Sequence, residues 1–397
     1  MTWVQPTAIM GTMGSMPKVR LVENQFPIAG AVPLEDLVGR REQAELMAAR
    51  ALSGQHSYLA GPRRIGKSSV AEAALRLAER EGAIPITADL LYLATPMAFA
   101  SVLFDKVAAA QGGASGMLQA LRQKQKLLDV ESTYQARLGP FFEAGIKIHE
   151  AAEAPDMLLN RCFELLGRLA EVKDRRVVLL LDEFQDSDRI HPRFDDSLRH
   201  FAADRTHRVS YLFSGSRASI LSKKFGDRQS PLFRVAMEVP IDDPRPAEWL
   251  PYLDRKFREV GIQADEHCLG KLLEESGGHA QDTMALAAEL HLLMFVRQQH
   301  FAGYGEAEEA LLRALNGLAT PFGQDWEALL PREQLAVARI AHGARVFAGL
   351  AGKDSEAVRR ALNRLRGDGL IVKQGEGRYR LREPLFAAYL RRTVALP

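Results

Sequence analysis

The sequence predicts an α/β fold: a parallel sheet over residues 37–243, a helical region after it and a small helix-and-hairpin unit at the end. Three observations carry this prediction. A short apolar stretch, His56-Ser57-Tyr58-Leu59-Ala60, runs into a glycine-bearing loop and then an alanine-rich helical stretch from Ser69 to Arg80. Two continuous apolar runs, around Val177–Leu181 and Val209–Phe213, show no polar alternation, as expected of strands buried on both faces of a parallel sheet. Helical stretches separate these runs, and strand signals fade after Asp243-Pro244-Arg245-Pro246.

Residues 1–36 carry several Met, Gly and Pro residues without periodicity and read as an extended or disordered leader, with Met10, Met13 and Met16 as alternative starts. Order begins at Leu37-Val38-Gly39-Arg40-Arg41-Glu42, which opens a helix running towards Leu52. The helix after the loop stops at Gly82. Ala83–Asp89 is a second strand, placed at a sheet edge or bulge by Pro85. Met97–Gln111 is helical. Residues 112–155 read as an insertion, with a basic stretch near Arg122 and a short strand near Phe141–Ile148. Pro155 starts an amphipathic helix through Leu158, Cys162, Leu165, Leu166 and Leu169. Arg234–Val239 repeats the buried-strand pattern. Beyond it, helices are expected near Ala247–Glu259, Asp265–Glu275, Ala280–His300 and Glu306–Leu315.

Bulk properties exclude several classes. A formal net charge of +2 over 397 residues names no partner. The two cysteines, Cys162 and Cys268, are too few and too far apart for a disulfide scaffold or a cysteine-rich metal site, and they fit a reducing cytoplasm. No apolar run is long enough to span a bilayer, and no secretory signal pattern is present. A cytoplasmic location is expected.

Gly61-Pro62-Arg63-Arg64-Ile65-Gly66-Lys67-Ser68-Ser69 fits G-x-x-x-x-G-K-[ST], a phosphate-binding loop, and it has the preceding strand and following helix that the pattern needs. Backbone N–H groups and a helix N-terminus then point at a polyphosphate. Lys67 supplies charge to the β- and γ-phosphates, and the Ser68 hydroxyl is placed for Mg²⁺. Asp182 and Glu183 end the most apolar strand. Asp182 is the expected second metal residue, and Glu183 the base that polarises an attacking water. Ser214 and Ser216 end the next strand; either hydroxyl would orient that water, or the pair simply forms a local turn.

These motifs, with Asp182-Glu183-Phe184-Gln185 and Ser214-Gly215-Ser216-Arg217, resemble those of the AAA+ P-loop ATPases. The nearest group looks like the archaeal-type ATPases, close to origin-recognition initiators and STAND signalling ATPases, over residues 36–392. The resemblance implies an ATP site in which Val38-Gly39-Arg40 lies against the adenine, a nucleotide-facing turn at Ser276-Gly277-Gly278-His279-Ala280, and ATPase activity. Many AAA+ proteins have Arg where this chain has Ala280. Ser230-Pro231-Leu232-Phe233-Arg234 is similar to the segment that often carries an arginine finger, with Arg234 the first candidate and Arg228 the second.

The implied organisation is a leader (1–36), an AAA+ core (37–243), a helical lid (244–318) and a winged helix (319–397). In the last part, a helix capped by Asp354 or Ser355 buries Ala357, Val358, Ala361, Leu362 and Leu365, leaving Arg359, Arg360, Asn363, Arg364 and Arg366 outside. Leu370–Lys373 and Arg378–Leu381 flank Gln374-Gly375-Glu376-Gly377 as a hairpin wing. From residue 319 on there are 14 Lys and Arg against 8 Asp and Glu, so the basic surplus is concentrated here. The expected partner is duplex DNA, through Arg359, Arg360, Arg364, Arg366 and Arg378. The alternative is a STAND-like switch whose winged helix binds protein or the core itself.

Overall fold

The computed structural model describes residues 25–28, 30–110, 155–375 and 377–396. Five parallel strands form one sheet: β1 (Ser57–Ala60), β2 (Ile84–Asp89), β3 (Val177–Asp182), β4 (Val209–Gly215) and β5 (Met237–Glu238), in the order β2-β3-β4-β1-β5. The buried-strand reading holds for β3 and β4. Val177, Leu179 and Leu181 enter one core and Val178 and Leu180 the other; Tyr211 and Phe213 likewise oppose Leu212. A period of two with both faces apolar leaves no polar alternation to see.

Helices cover both faces. On one lie α1 (Arg41–Leu52) and α2 (Lys67–Arg80), whose alanines allow close approach to the sheet. On the other lie α3 (96–110), α4 (Pro155–Lys173), α6 (Phe194–Ala203) and α7 (Ala218–Gly226), with the short α5 (Ser187–Ile190) leading into α6. Pro85 sits on edge strand β2, where its missing N–H breaks no second ladder. The expected strand at Arg234–Val239 shrinks to two residues. It lies on the other edge, pairs only with β1, and leaves Met237 56 % exposed, so it is not a strand buried on both faces. The first helix likewise begins at Arg41 rather than Leu37. The sequence-predicted insertion at 112–155 lies outside the described residues apart from Pro155, which begins α4.

The rest is mostly helical: α8 (Pro246–Glu259), α9 (Glu266–Ser276), α10 (Ala280–Arg297), α11 (Tyr304–Gly317), α12 (Ala319–Glu327), α13 (Pro331–Ala341), α14 (Gly352–Gly367) and α15 (Pro384–Thr393). Strands do not vanish entirely, because β6 (Gln263–Ala264) pairs with β7 (Phe301–Ala302) in parallel. An antiparallel hairpin, β8 (Ile371–Gly375) with β9 (Arg378–Leu381), stands between α14 and α15 as expected. Helix α14 starts at Gly352 after Ala351, so neither Asp354 nor Ser355 caps it; its buried stripe is Val358, Ala361, Leu362 and Leu365. The expected boundary near residue 319 shows no break in packing. Side chains from α8 through α15 form one apolar cluster, crossed by contacts such as Phe322 on Phe386. Phe26, within the expected leader, is fully buried in that cluster against Phe257 and His291, so the chain is anchored at that residue.

Candidate functional site

The loop leaves β1 at Ala60 and enters α2 at Lys67. Gly66 is left-handed (φ +93°), and a Cβ there would collide with the Arg40 guanidinium, so the position needs glycine twice over. Arg64 is also left-handed (φ 67°). Ile65 is buried and pins the loop to the core, whereas Arg63, Arg64 and Ser68 are exposed. Arg40 is buried behind the loop, donating from Nε and Nη2 to the Asp242 carbonyl at 3.1 and 2.9 Å. Burial pushes its pKa down to about 10, opposed by Asp243 and Asp242. Its geometry is that of a prop for Gly66. The Ser69 hydroxyl faces away, accepting the Val32 N–H at 3.3 Å, so only its backbone remains for a ligand.

Lys67 is buried and its Nζ donates to the Pro62 carbonyl at 2.7 Å. Burial lowers its pKa to about 8, against the opposing pull of Glu183 and Asp182. Because β4 lies between β1 and β3, its C-terminal serines stand between the loop and the acids. Asp182 Oδ2 accepts from Ser68 Oγ at 2.9 Å, and Oδ1 accepts from the Ser214 hydroxyl and from Glu183 N at 2.9 Å. Glu183 is left-handed (φ 51°), and its Oε2 accepts from Ser216 Oγ at 2.8 Å, Ser216 N at 3.2 Å and the Gln185 amide. Burial alone would raise the Glu183 carboxyl, but hydrogen bonds from Gln185 and Ser216 and the Lys67 charge hold it below the ordinary glutamate range. The two serines therefore hold the two acids; neither stands free to orient a water.

Sequence reasoning missed Gln185 and Asp89. Asp89 ends β2 directly opposite Asp182 in the parallel register. Burial raises its carboxyl, the Leu91 N–H lowers it, and Asp182, Glu183 and Asp186 raise it further. The signal was an acid closing a predicted strand. The structure does not bring Arg234 to this cluster: it is exposed, left-handed (φ 57°) and lies over the Phe233 ring at 5.0 Å, and Arg228 is exposed as well. Val38 and Gly39 line a shallow cleft of about 340 Å³ with Glu35, Glu248, Pro251, Tyr252 and Arg255. His279 is 1 % exposed and caps α10, its Nδ1 accepting from Asp282 N at 3.4 Å, with Ala280 opening the helix.

The C-terminal unit meets the loop directly. Glu383 Oε2 pairs with Arg64 Nη1 at 2.7 Å, and a Cβ on Gly369 (φ +77°) would lie 2.8 Å from Pro62 Cβ. Arg380 and Arg382 approach Asp243 at 3.6 and 3.7 Å. Arg359, Arg360 and Arg366 on α14 and Arg378 on the hairpin are exposed, while Arg364 reaches Glu333 at 3.4 Å.

This geometry has a counterpart among known proteins. Residues 36–213 match the AAA ATPase domain. The match takes in the loop, Asp182 and Glu183 and ends just before Ser214. No curated protein matches the sequence. By fold, the chain is similar to a Walker-type ATPase of Pyrococcus abyssi (TM-score 0.65, 22 % identity, 92 % of this chain and 99 % of that one). It is also similar to the ORC2 protein of Aeropyrum pernix, solved as ADPNP–ADP complexes (TM-score 0.57, 15 % identity, 89 % and 93 %). These likenesses show the fold, an α/β architecture around a parallel five-stranded sheet. Among the described residues, no helix is long and apolar enough to cross a membrane.

Proposed function

We propose that the chain binds ATP with Mg²⁺ at residues 61–69, hydrolyses it, and uses the nucleotide state to set the position of its C-terminal unit. The observation that carries this reading is the Ser68–Asp182 hydrogen bond, which joins the loop helix to the acid strand with Lys67 and Glu183 beside it. Ser68 Oγ and Asp182 Oδ2 are both hard oxygen ligands, suited to Mg²⁺. Among the described residues, no cluster of three or more His, Cys, Asp or Glu would hold a metal alone, which fits an ion that arrives with phosphate oxygens. Bound there, Mg²⁺ would neutralise charge on the β- and γ-phosphates.

Lys67 would exchange the Pro62 carbonyl for phosphate. Backbone N–H groups of Arg63, Arg64, Ile65 and Gly66 and of Ser68 and Ser69 would hold the oxygens, while Gly61, whose N–H donates to the Gly215 carbonyl at 3.4 Å, and Pro62, which has no N–H, would shape the entry of the loop. Glu183, kept ionised, would exchange Ser216 for the attacking water and accept its proton, with Ser216 positioning the carboxylate. Val38 and Gly39 would face the base, and Arg40 would act on the site through Gly66. Arg234, or Arg228, would act only on a neighbouring subunit's nucleotide.

We also read residues 1–36 as the leader, 37–243 as the core, 244–318 as the lid and 319–397 as a winged helix contacting duplex DNA through Arg359, Arg360, Arg364, Arg366 and Arg378. The contact of Glu383 and Gly369 with the loop favours a second reading of that last unit: a switch in which it docks on the core and, once released, on a protein.

The test is two variants. Lys67→Ala should weaken ATP binding by about a hundredfold or more, and Glu183→Gln should keep binding while turnover falls by about 10²–10⁴. Unchanged affinity in the first, or unchanged turnover in the second, removes the corresponding assignment.

A further inference from the structure

Three buried polar atoms near the loop make no hydrogen bond among the described residues: Asp243 Oδ1, His279 Nε2 and Arg382 Nε. They come from three different parts of the chain, namely the connector into α8, the turn before α10 and the end of β9. Buried groups of this kind are normally paired, and a set of them in one place marks a spot that a ligand completes. His279 and Asp243 lie within electrostatic range of each other, as do Arg382 and Lys67.

Arg382 is the cation of this set. Its backbone N–H donates to Leu370 O at 2.9 Å, tying the end of β9 to the segment after α14. Its Nη1 stands 3.7 Å from Asp243 Oδ2, an attraction without a hydrogen bond. The next residue, Glu383, grips Arg64 of the loop, and Gly369 rests on Pro62. A largely buried guanidinium with an unused Nε donor thus stands within electrostatic range of Lys67, on a segment that its neighbours Gly369 and Glu383 hold against the loop. A planar fork of N–H groups matches the oxygens of a phosphate, the anion that the loop and Lys67 would hold.

We propose that Arg382 is a phosphate-binding residue of the nucleotide site, delivered from the C-terminal unit of the same chain when that unit docks on the loop. This rests on the ATP-site reading given above. It adds that polyphosphate binding and docking are linked, so that each strengthens the other. AMP, lacking the outer phosphates, should not engage Arg382.

The experiment is calorimetric titration of ATP, ADP and AMP, with magnesium chloride, into the full chain and its Arg382→Gln, Arg382→Lys and Lys67→Ala variants. Arg382→Gln should lose about tenfold in ATP affinity with AMP affinity unchanged, and Arg382→Lys should recover part of the loss. Thermal unfolding without nucleotide should show both Arg382 variants folded. Two outcomes overturn the proposal while the site reading stands: Arg382→Gln binding ATP like the parent, or losing ATP and AMP equally, as a structural lesion would. If Lys67→Ala binds ATP as well as the parent does, the site reading falls and this proposal with it.

Discussion

Lys67 shows how much one side chain's surroundings decide. Its free-state pKa of about 8 reflects burial, and phosphate would raise it again. Below that value the lysine is charged with or without ligand, and affinity should be flat. Above it, the free protein must take up a proton to bind, so ATP affinity should fall by up to about tenfold per pH unit from about pH 8 upward, until the bound-state pKa is reached. Titrations from about pH 7 to about pH 9.5 check this, with Lys67→Arg, whose guanidinium stays charged, expected to flatten the profile. The loop and both acids were legible in the sequence because each is a local pattern on a strand end. Gln185, Asp89 and Arg382 were not: their relevance depends on which strand ends and which distant unit come together. The serines at 214 and 216 were found, but their donors point at Asp182 and Glu183, a direction that spacing does not encode.

At the scale of elements, apolar periodicity located α1 to α4, α8 to α11, α14 and the long strands, but assigned no residues to α6, α7 or α15. It failed where a single contact outweighs local pattern. β5, on an edge, is only two residues long, and α14 gains a turn before its expected caps. The leader was read from composition, which cannot register that Phe26 finds a socket between Phe257 and His291. Phe26→Ala should therefore destabilise the α8–α15 body by about 3–5 kcal/mol, through lost burial and the cavity left behind. Thermal unfolding followed by tryptophan fluorescence would read this at Trp249 and Trp326, both packed in the same cluster. An unchanged transition would mean that the phenyl ring contributes nothing there.

For the whole molecule, α8 to α15 share one continuous apolar cluster, so a rotation at Asp243-Pro244 would move the regions we read as lid and winged helix together. Within it the basic surplus is confined to the part from residue 319 on. If its outer face meets duplex DNA, log Kobs should fall linearly with log salt, and Arg359→Glu with Arg360→Glu should weaken binding and flatten the slope by roughly one for each phosphate no longer neutralised. Filter binding across a salt series measures both, and no binding at low salt would leave the protein-partner reading. The anchored end of the leader sets the reach of any such rotation. Phe26 is seated in the moving body, while the Val32 N–H is held by Ser69 on the helix of the phosphate loop. The stretch between them can extend to about 20 Å at most. If the two bodies part at Asp243-Pro244, this stretch would act as a strap: they could separate within its length, and parting further would require one of its two ends to come undone.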